Sequence, residues 1–102
     1  MSNVPLKRKK HTKVYTDEDG IINVVYHNTV VISIDQKKLK ITLNNGGWKT
    51  NTTKNRINQA AREYNLGFKI HQINYAWYVW TENSLSDFRN LMTIDYPENN
   101  SR

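Results

Sequence analysis

The stretch LNNGGWKTNTTKNRINQ, from Leu43 to Gln59, constrains the fold most, because a strand-like pattern changes to a helical one within it. Gly46 and Gly47 permit backbone angles that are closed to other residues, so the chain can leave a strand and reverse. Thr50 or Asn51 suits a helix N-cap, since its side-chain oxygen can accept a hydrogen bond from an unpaired amide. We therefore expect a strand end, a reversal and a helix start in one segment.

A helical period follows from Thr52 onward. The apolar positions fall at i, i+3, i+4 and i+7, which gives a narrow stripe: Ile57, Ala60, Ala61 and Tyr64. The stretch "NLG", residues 65–67, supplies a left-handed stop. A helix of about 13 residues is marginal alone, so the stripe is expected to lie against a sheet.

Strand patterns flank this helix. Before it, "IINVVYHNTVVISI" is followed by a turn at "DQKK" and by "LKITL", where Leu39, Ile41 and Leu43 should face inward. After it, "FKIHQ" and "AWYVWT" predict a second hairpin, and "SLSDFRNLM" has the spacing of a short C-terminal helix. The predicted fold class is α+β: a small antiparallel sheet of two hairpins packed by one central helix, in the order ββαββ, with that short C-terminal helix.

The length of 102 residues suits one small domain, and the chain contains no cysteine, so packing must supply its stability. We expect residues 1–20 to be a basic, disordered N-terminal arm, because they are polar and charged. Residues 21–94 are the expected α+β domain. Residues 95–102 are expected to be a flexible tail.

The charge is distributed unevenly along the chain. The net charge is +6, and residues 21–80 contain eight basic side chains against only Asp35 and Glu63. A basic folded core favours an anionic partner, nucleic acid above all.

Several classes of function lack their usual signals. His11, His27 and His71 match no metal-ligand spacing, and the segment at the glycine pair lacks the glycine-lysine-threonine ending of a nucleotide-binding loop. We expect a non-enzymatic protein without metal or cofactor. No apolar run is long enough to span a membrane, and the charged start does not resemble a signal peptide, so we expect no membrane association and a cytoplasmic location.

The helix carries the strongest functional indication. Asparagine, glutamine and arginine can pair with base edges, while lysine and threonine suit phosphates. The predicted nucleic-acid-binding residues lie on the helix and on the outward face of the first hairpin: Lys38, Lys40, Lys49, Thr52, Lys54, Asn55, Arg56, Asn58, Gln59 and Arg62. A solvated helix in a protein rich in lysine and asparagine would have the same polar faces, and that alternative stays open.

Aromatic residues are numerous for so small a core. Most should pack in the interior, but a strand places Trp77 and Trp80 on opposite faces. If the terminal helix does not cover Tyr78 and Trp80, these two side chains become a base-stacking or interface surface. Trp48 at the helix start is a further residue for such a surface.

The segment from Ile41 to Val79 resembles a group of small bacteriophage proteins. The shared features are a leucine-asparagine-x-glycine-glycine-tryptophan turn, a threonine-rich basic helix start, a tyrosine-x-leucine-glycine helix end and a late tryptophan. Here these features correspond to Leu43 to Trp48, Thr50 to Gln59, Tyr64 to Gly67 and Trp77. The resemblance implies an origin in a phage and action in an infected bacterium.

Two hypotheses follow. The first is a small phage accessory protein that binds DNA or RNA through the basic helix and hairpin. The alternative is a phage effector that binds a host protein with an acidic surface and inhibits a host defence or host enzyme. An open edge strand would also allow pairing into a homodimer.

Overall fold

Two antiparallel sheets and a single α-helix make up the part of the chain that the computed structural model describes, residues 5–47, 49–82 and 84–96. Sheet A has the strand order β1-β2-β3-β4-β8, and sheet B has the order β5-β6-β7. The strands of sheet A are β1 (Thr12–Thr16), β2 (Ile22–Tyr26), β3 (Thr29–Asp35), β4 (Lys40–Leu43) and β8 (Met92–Asp95). The strands of sheet B are β5 (Phe68–Ile73), β6 (Ala76–Thr81) and β7 (Leu85–Asp87). The α+β class is confirmed.

Helix α1 (Asn51–Glu63) begins where the sequence predicts. The Thr50 side chain accepts from the backbone N of Thr53, so Thr50 is the N-cap. After the helix, Asn65 has a φ of 54° and Gly67 a φ of 74°, which are the left-handed conformations expected of the stop signal.

One hydrophobic core lies between the helix and the two sheets. Helix α1 supplies Ile57, Ala60 and Ala61 to it, and each of these is buried. The sheets supply most of the other large, fully buried apolar side chains: Val24, Val31, Ile32, Ile34, Ile41, Leu43, Ile70 and Val79. Although its apolar stripe is narrow, the helix therefore packs against both sheets, and this packing stabilises it.

The predicted order ββαββ is wrong, because the described chain has four strands before the helix and four after it. The segment from Ile21 to Ile34, counted as one strand in that order, is a hairpin of β2 and β3, and it turns at His27 and Asn28, where the sequence indicates a possible turn or bulge. Leu39 does not face inward as predicted. It lies in the β3–β4 turn with a φ of 58° and is 45% exposed.

The expected disordered arm is also wrong for its described residues. Residues 6–8 form a short 3-10 helix, and β1 pairs along its whole length with β2. Leu6 is 1% exposed, and its backbone N donates to Glu63 Oε2 at 2.9 Å. One buried leucine and a strand ladder therefore fix a segment whose composition is mostly polar.

The predicted C-terminal helix is absent from the described residues, since its segment forms β7, a turn and β8. Leu91 in that turn has a φ of 65°, which interrupts a helical path. Strand β6 offers an edge to β7, and β4 offers one to β8. The apolar spacing of Leu85, Phe88, Leu91 and Met92 was therefore a misleading helix signal. Asp95 pairs in β8, so the predicted tail from residue 95 begins in the sheet, and residues 97–102 lie outside the described residues.

Candidate nucleic-acid interface

Helix α1 lies alongside β5, an edge strand of sheet B, and runs in the opposite direction. Its first turn lies near the β5–β6 turn, its middle contacts Ile70, and its C-terminal end lies near Lys69. We call this line of contact the α1–β5 seam. Two surface depressions open along it, one on each side of the contact between Asn58 and Ile70.

The first depression lies at the helix N-terminus. It is lined by Lys49, Asn51, Lys54, Gln72, Asn74 and Tyr75. Lys49 is exposed and Lys54 is half-buried, so two cations flank it next to the amides of the first helical turn. We call it the Tyr75 depression.

Tyr75 projects from a two-residue hairpin turn. Asn74 and Tyr75 have φ values of 51° and 71°, and Ile73 pairs with Ala76 on either side of them. Such a turn needs positive φ at both positions, which glycine or asparagine usually supplies. A tyrosine there is strained by about 1–2 kcal/mol, yet its ring is 85% exposed and gains nothing from burial.

The second depression lies at the helix C-terminus. Its lining residues come from the helix end, β5 and β6: Ala61, Arg62, Asn65, Gly67, Phe68, Lys69, Trp80, Thr81 and Glu82. Lys69 is the cross-strand neighbour of Trp80, which is 52% exposed. We call it the Trp80 depression. It repeats the chemistry of the first, two basic side chains and one exposed aromatic ring, with Glu82 as its one acidic member.

The two depressions are separated by the length of the helix. Asn51 and Arg62 are 11 positions apart, which corresponds to about 17 Å at 1.5 Å per residue. A short single strand could contact both.

Three of the predicted helix residues have structural roles instead. Asn58 is buried and bonded to the backbone of Ile70 through both side-chain atoms, so it is not free to read a base. Arg56 donates from Nε to Thr12 Oγ1 at 3.0 Å and lies 5.5 Å from the centre of the Tyr26 ring. Gln59 donates to Glu63 Oε2 at 3.0 Å. The reason is that the helix flank carrying Arg56 and Gln59 packs toward β1, β2 and the N-terminal segment.

The other predicted helix residues are on the surface. Thr52 and Asn55 are exposed, and Thr52 lies on the flank away from the seam. Arg62, Lys49 and Lys54 line the two depressions. The prediction therefore places three basic residues at the seam and misses Lys69 and Tyr75. The signal for Tyr75 was weak, because the pair Asn-Tyr at a hairpin turn differs from the usual Asn-Gly.

Lys38 and Lys40 lie elsewhere. Lys38 is in the β3–β4 turn, whereas the helix N-cap Thr50 adjoins Thr29 at the other end of β3. Seven residues of extended strand separate these ends by about 20 Å. Lys40 Nζ contacts Asp95 Oδ1 at 2.9 Å in an exposed ion pair. The sequence also predicts that Lys49, Lys54 and Arg56 lie beside the cationic face of the first hairpin. In the structure that face is remote from the helix N-terminus, so this prediction is wrong and the hairpin is not part of the surface around the helix start.

The predicted aromatic surface of β6, formed by Tyr78 and Trp80, is not covered by another described element of the fold. Strand β7 extends sheet B beside β6 and does not cover the outer face, where Trp80 is exposed and Tyr78 half-buried. Trp48 lies outside the described residues.

Neither a metal centre nor a membrane span can be assigned to this surface. Within residues 5–47, 49–82 and 84–96, no group of three histidine, cysteine or acidic side chains is placed to hold a metal ion. Over the same residues, no helix has the length and apolar character needed to cross a bilayer.

Comparison with known proteins identifies a family. No curated protein and no solved structure matches the chain. The family model described as Kyanoviridae Gp96 protein matches residues 2–96, which is nearly the whole sequence. The chain therefore belongs to the Kyanoviridae Gp96 family of bacteriophage proteins.

Proposed function

We propose that this protein is a non-enzymatic phage accessory protein that binds single-stranded DNA or RNA along the α1–β5 seam in the cytoplasm of an infected bacterium. One observation carries the proposal: each end of the seam combines two basic side chains with one exposed aromatic ring. Proteins that bind single strands combine cationic grooves with stacking rings in this way.

The seam suits a single strand better than a duplex. Tyr75 and Trp80 offer ring faces, which require unstacked bases, and each stacked base contributes about 1–3 kcal/mol. Lys49, Lys54 and Lys69 supply point charges for phosphates, and Arg62 supplies a fork-shaped donor set. Because Asn58, Arg56 and Gln59 are engaged within the protein, binding is expected to show little base specificity.

Anisotropy of a labelled single-stranded oligonucleotide at two salt concentrations tests the proposal. Each phosphate neutralised on a single strand contributes about −0.7 to the slope of log affinity against log salt, so four contacts give about −3. Affinity should then fall roughly 50-fold between about 50 and 200 mM salt. Salt-independent affinity, or no binding of DNA or RNA at micromolar protein, contradicts the proposal.

A second candidate function is supported by the outer face of sheet B. Ile73, Trp80 and Leu85 are 54%, 52% and 58% exposed on it, which is unusual for three large apolar side chains on one small sheet. A protein-binding effector that acts on a host protein with an acidic surface would use this face together with Lys69.

Capture of partners from host lysate with and without nuclease separates the two functions. Nucleic-acid binding predicts that partners are lost after nuclease treatment. A stoichiometric protein that survives nuclease and is lost in Leu85→Ser supports the effector, since Leu85 lies outside both depressions.

A further inference from the structure

A pocket of about 370 Å³ lies on the other side of the helix N-terminus, away from the seam. Its lining comes from the β2–β3 hairpin, the loop before the helix and the first helical turn: Tyr26, His27, Thr29, Val31, Asn45, Thr50 and Thr53. This volume falls within the range of small-molecule sites, which are mostly apolar with a few fixed polar groups. We call it the Tyr26 pocket.

Aromatic rings form one wall of the Tyr26 pocket. The ring centres of Tyr26 and His27 are 4.4 Å apart with the ring planes inclined by 63°, so the pair is edge-to-face. His11 stacks on His27 at 4.5 Å with an interplanar angle of 21°. His11 and His27 both have a φ of 58°, and the backbone N of His27 donates to the carbonyl of His11. Two left-handed histidines are thus held together beside the pocket, which positions the His27 ring.

Asn45 provides an unused donor at this pocket. The residue is 3% exposed, its Oδ1 accepts from the backbone N of Gly47 at 2.8 Å, and its own backbone N donates to Asn90. Among the described residues, Asn45 Nδ2 has no hydrogen-bond partner. Trp77 Nε1 is the one side-chain atom of those residues that is both occluded from solvent and unpaired, so Asn45 Nδ2 keeps some exposure to solvent. Because this donor is open to solvent, water can satisfy it in the free protein, and a ligand acceptor would take the place of that water.

The lining of the Tyr26 pocket narrows the class of ligand. The described residues of its lining include no carboxylate, lysine or arginine, so none of them offers a permanently charged side chain to an ion. The Arg56 guanidinium lies 5.5 Å from the centre of the Tyr26 ring. Two aromatic rings favour a flat ring system, the Val31 side chain adds an apolar contact, and the Asn45 amide requires an acceptor on the edge of that ring. A nucleobase meets all of these requirements.

We propose that the Tyr26 pocket binds one nucleobase, stacked on one of the Tyr26 and His27 rings and edge-on to the other, with an acceptor on its edge bonded to Asn45 Nδ2. The base can belong to a free nucleotide or to one residue of a strand, because both present the same ring. The site goes beyond the seam and does not depend on it.

Saturation-transfer NMR with the four common nucleoside 5′-monophosphates tests this proposal, with ribose 5-phosphate as the probe without a base. The site predicts saturation of base protons for at least one nucleotide and none for ribose 5-phosphate. Asn45→Asp keeps the Oδ1 acceptor for Gly47 and replaces the Nδ2 donor, so affinity should fall about tenfold. His27→Asn keeps a residue that tolerates positive φ and removes the ring, so affinity should fall by a similar factor.

Matched variants control for charge and for histidine loss. Gln36→Glu adds the same charge in the exposed β3–β4 turn, and His71→Asn removes a histidine from sheet B, so both should bind within twofold of the parent protein. Circular dichroism verifies that each variant is folded.

An unlabelled single-stranded oligonucleotide distinguishes the two sources of the base. Displacement of the bound nucleotide, with weaker oligonucleotide binding in Asn45→Asp, assigns the pocket to a base of a strand. Simultaneous binding of both assigns it to a free nucleotide. The proposal is overturned if no nucleotide gives a saturable signal, or if folded Asn45→Asp and His27→Asn bind nucleotide with the affinity of the parent protein. Loss of oligonucleotide binding that is confined to the Lys49 and Lys54 variants concerns the seam and not the Tyr26 pocket.

Discussion

The side-chain amide of Asn58 pairs with both backbone groups of Ile70: Nδ2 donates to the carbonyl oxygen at 3.1 Å, and Oδ1 accepts from the backbone N at 2.7 Å. Strand β5 is an edge strand, so its outward backbone groups have no neighbouring strand on that side. One asparagine thus joins the helix to the open edge of sheet B and divides the seam into its two depressions.

Replacing Asn58 with alanine should lower the free energy of unfolding by about 2 kcal/mol, because two buried backbone groups lose their partners. Urea denaturation checks this. Asn55→Ala, on the exposed surface of the same helix, should stay within about 0.5 kcal/mol of the parent. A normal stability for Asn58→Ala together with weaker nucleic-acid binding would instead support the base-reading role predicted from the sequence.

Gly46 and Gly47 should differ in their tolerance of alanine. Both have positive φ, 65° and 86°, but a Cβ on Gly46 would lie 2.9 Å from Thr29 Oγ1, whereas a Cβ on Gly47 would meet nothing within 4 Å. Gly47→Ala should cost about 1 kcal/mol for its backbone alone, and Gly46→Ala should cost more by a further 1 kcal/mol or so. Thermal unfolding of the two variants checks the difference, and equal melting temperatures would mean that the Thr29 side chain moves aside freely.

Salt titration of oligonucleotide affinity should separate charge from stacking along the seam. Lys49→Ala and Lys54→Ala should each reduce the magnitude of the salt slope by about 0.7, because each removes one phosphate contact. Tyr75→Ala should weaken binding by about 1–3 kcal/mol and leave the slope unchanged.

Lys38→Ala is the matched control for the salt titration, since it removes the same charge about 20 Å away along β3. It should alter neither affinity nor slope. An effect of Lys38→Ala as large as that of Lys54→Ala would move the binding surface to the first hairpin.

Acid stability should depend on Asp17 in the β1–β2 turn. The backbone N of Ile21 and that of Asp19 donate to its carboxylate, as does Asn23 Nδ2, and these bonds hold the pKa of Asp17 below its ordinary value. Since the folded pKa is lower than the unfolded one, the contribution to stability is complete above the unfolded pKa and is lost as pH falls through the folded pKa. The stability difference between the parent protein and Asp17→Asn should therefore be constant above about pH 5 and shrink below about pH 4. Urea denaturation from pH 3 to 7 measures it, and a difference that is independent of pH would mean that the carboxylate bonds do not persist in solution.

Local signals predicted the middle of this fold well, and the two ends poorly. Thr50, the apolar stripe of α1 and the pairing of β5 with β6 follow from capping and periodicity within single segments. Strands β1 and β8 form because β2 and β4 offer them edges, and Leu6 is buried in the core formed by the sheets and α1, where Glu63 accepts its amide across 57 positions. No local window contains those partners.

The candidate binding surface along the α1–β5 seam likewise could not be predicted from local sequence alone. Basic side chains on the helix were predictable as a class, but only the packing of α1 shows that Asn58 and Arg56 face strands while Lys54 and Arg62 border the seam. The sequence did not indicate Asn45 as a binding residue, because only the hydrogen bonds formed in the folded loop show that its side-chain Nδ2 is left without a partner.

The pairing of β4 with β8 has a consequence for synthesis of the chain. Lys40 and Asp95 meet across 55 positions, so β4 has no neighbour on that side until residues 92–95 have left the ribosome. Contacts of such long sequence separation form late and slow folding. During translation, the nascent chain carries an open β4 edge on which another unfinished copy can pair, and release of the C-terminal strand is the event that closes it.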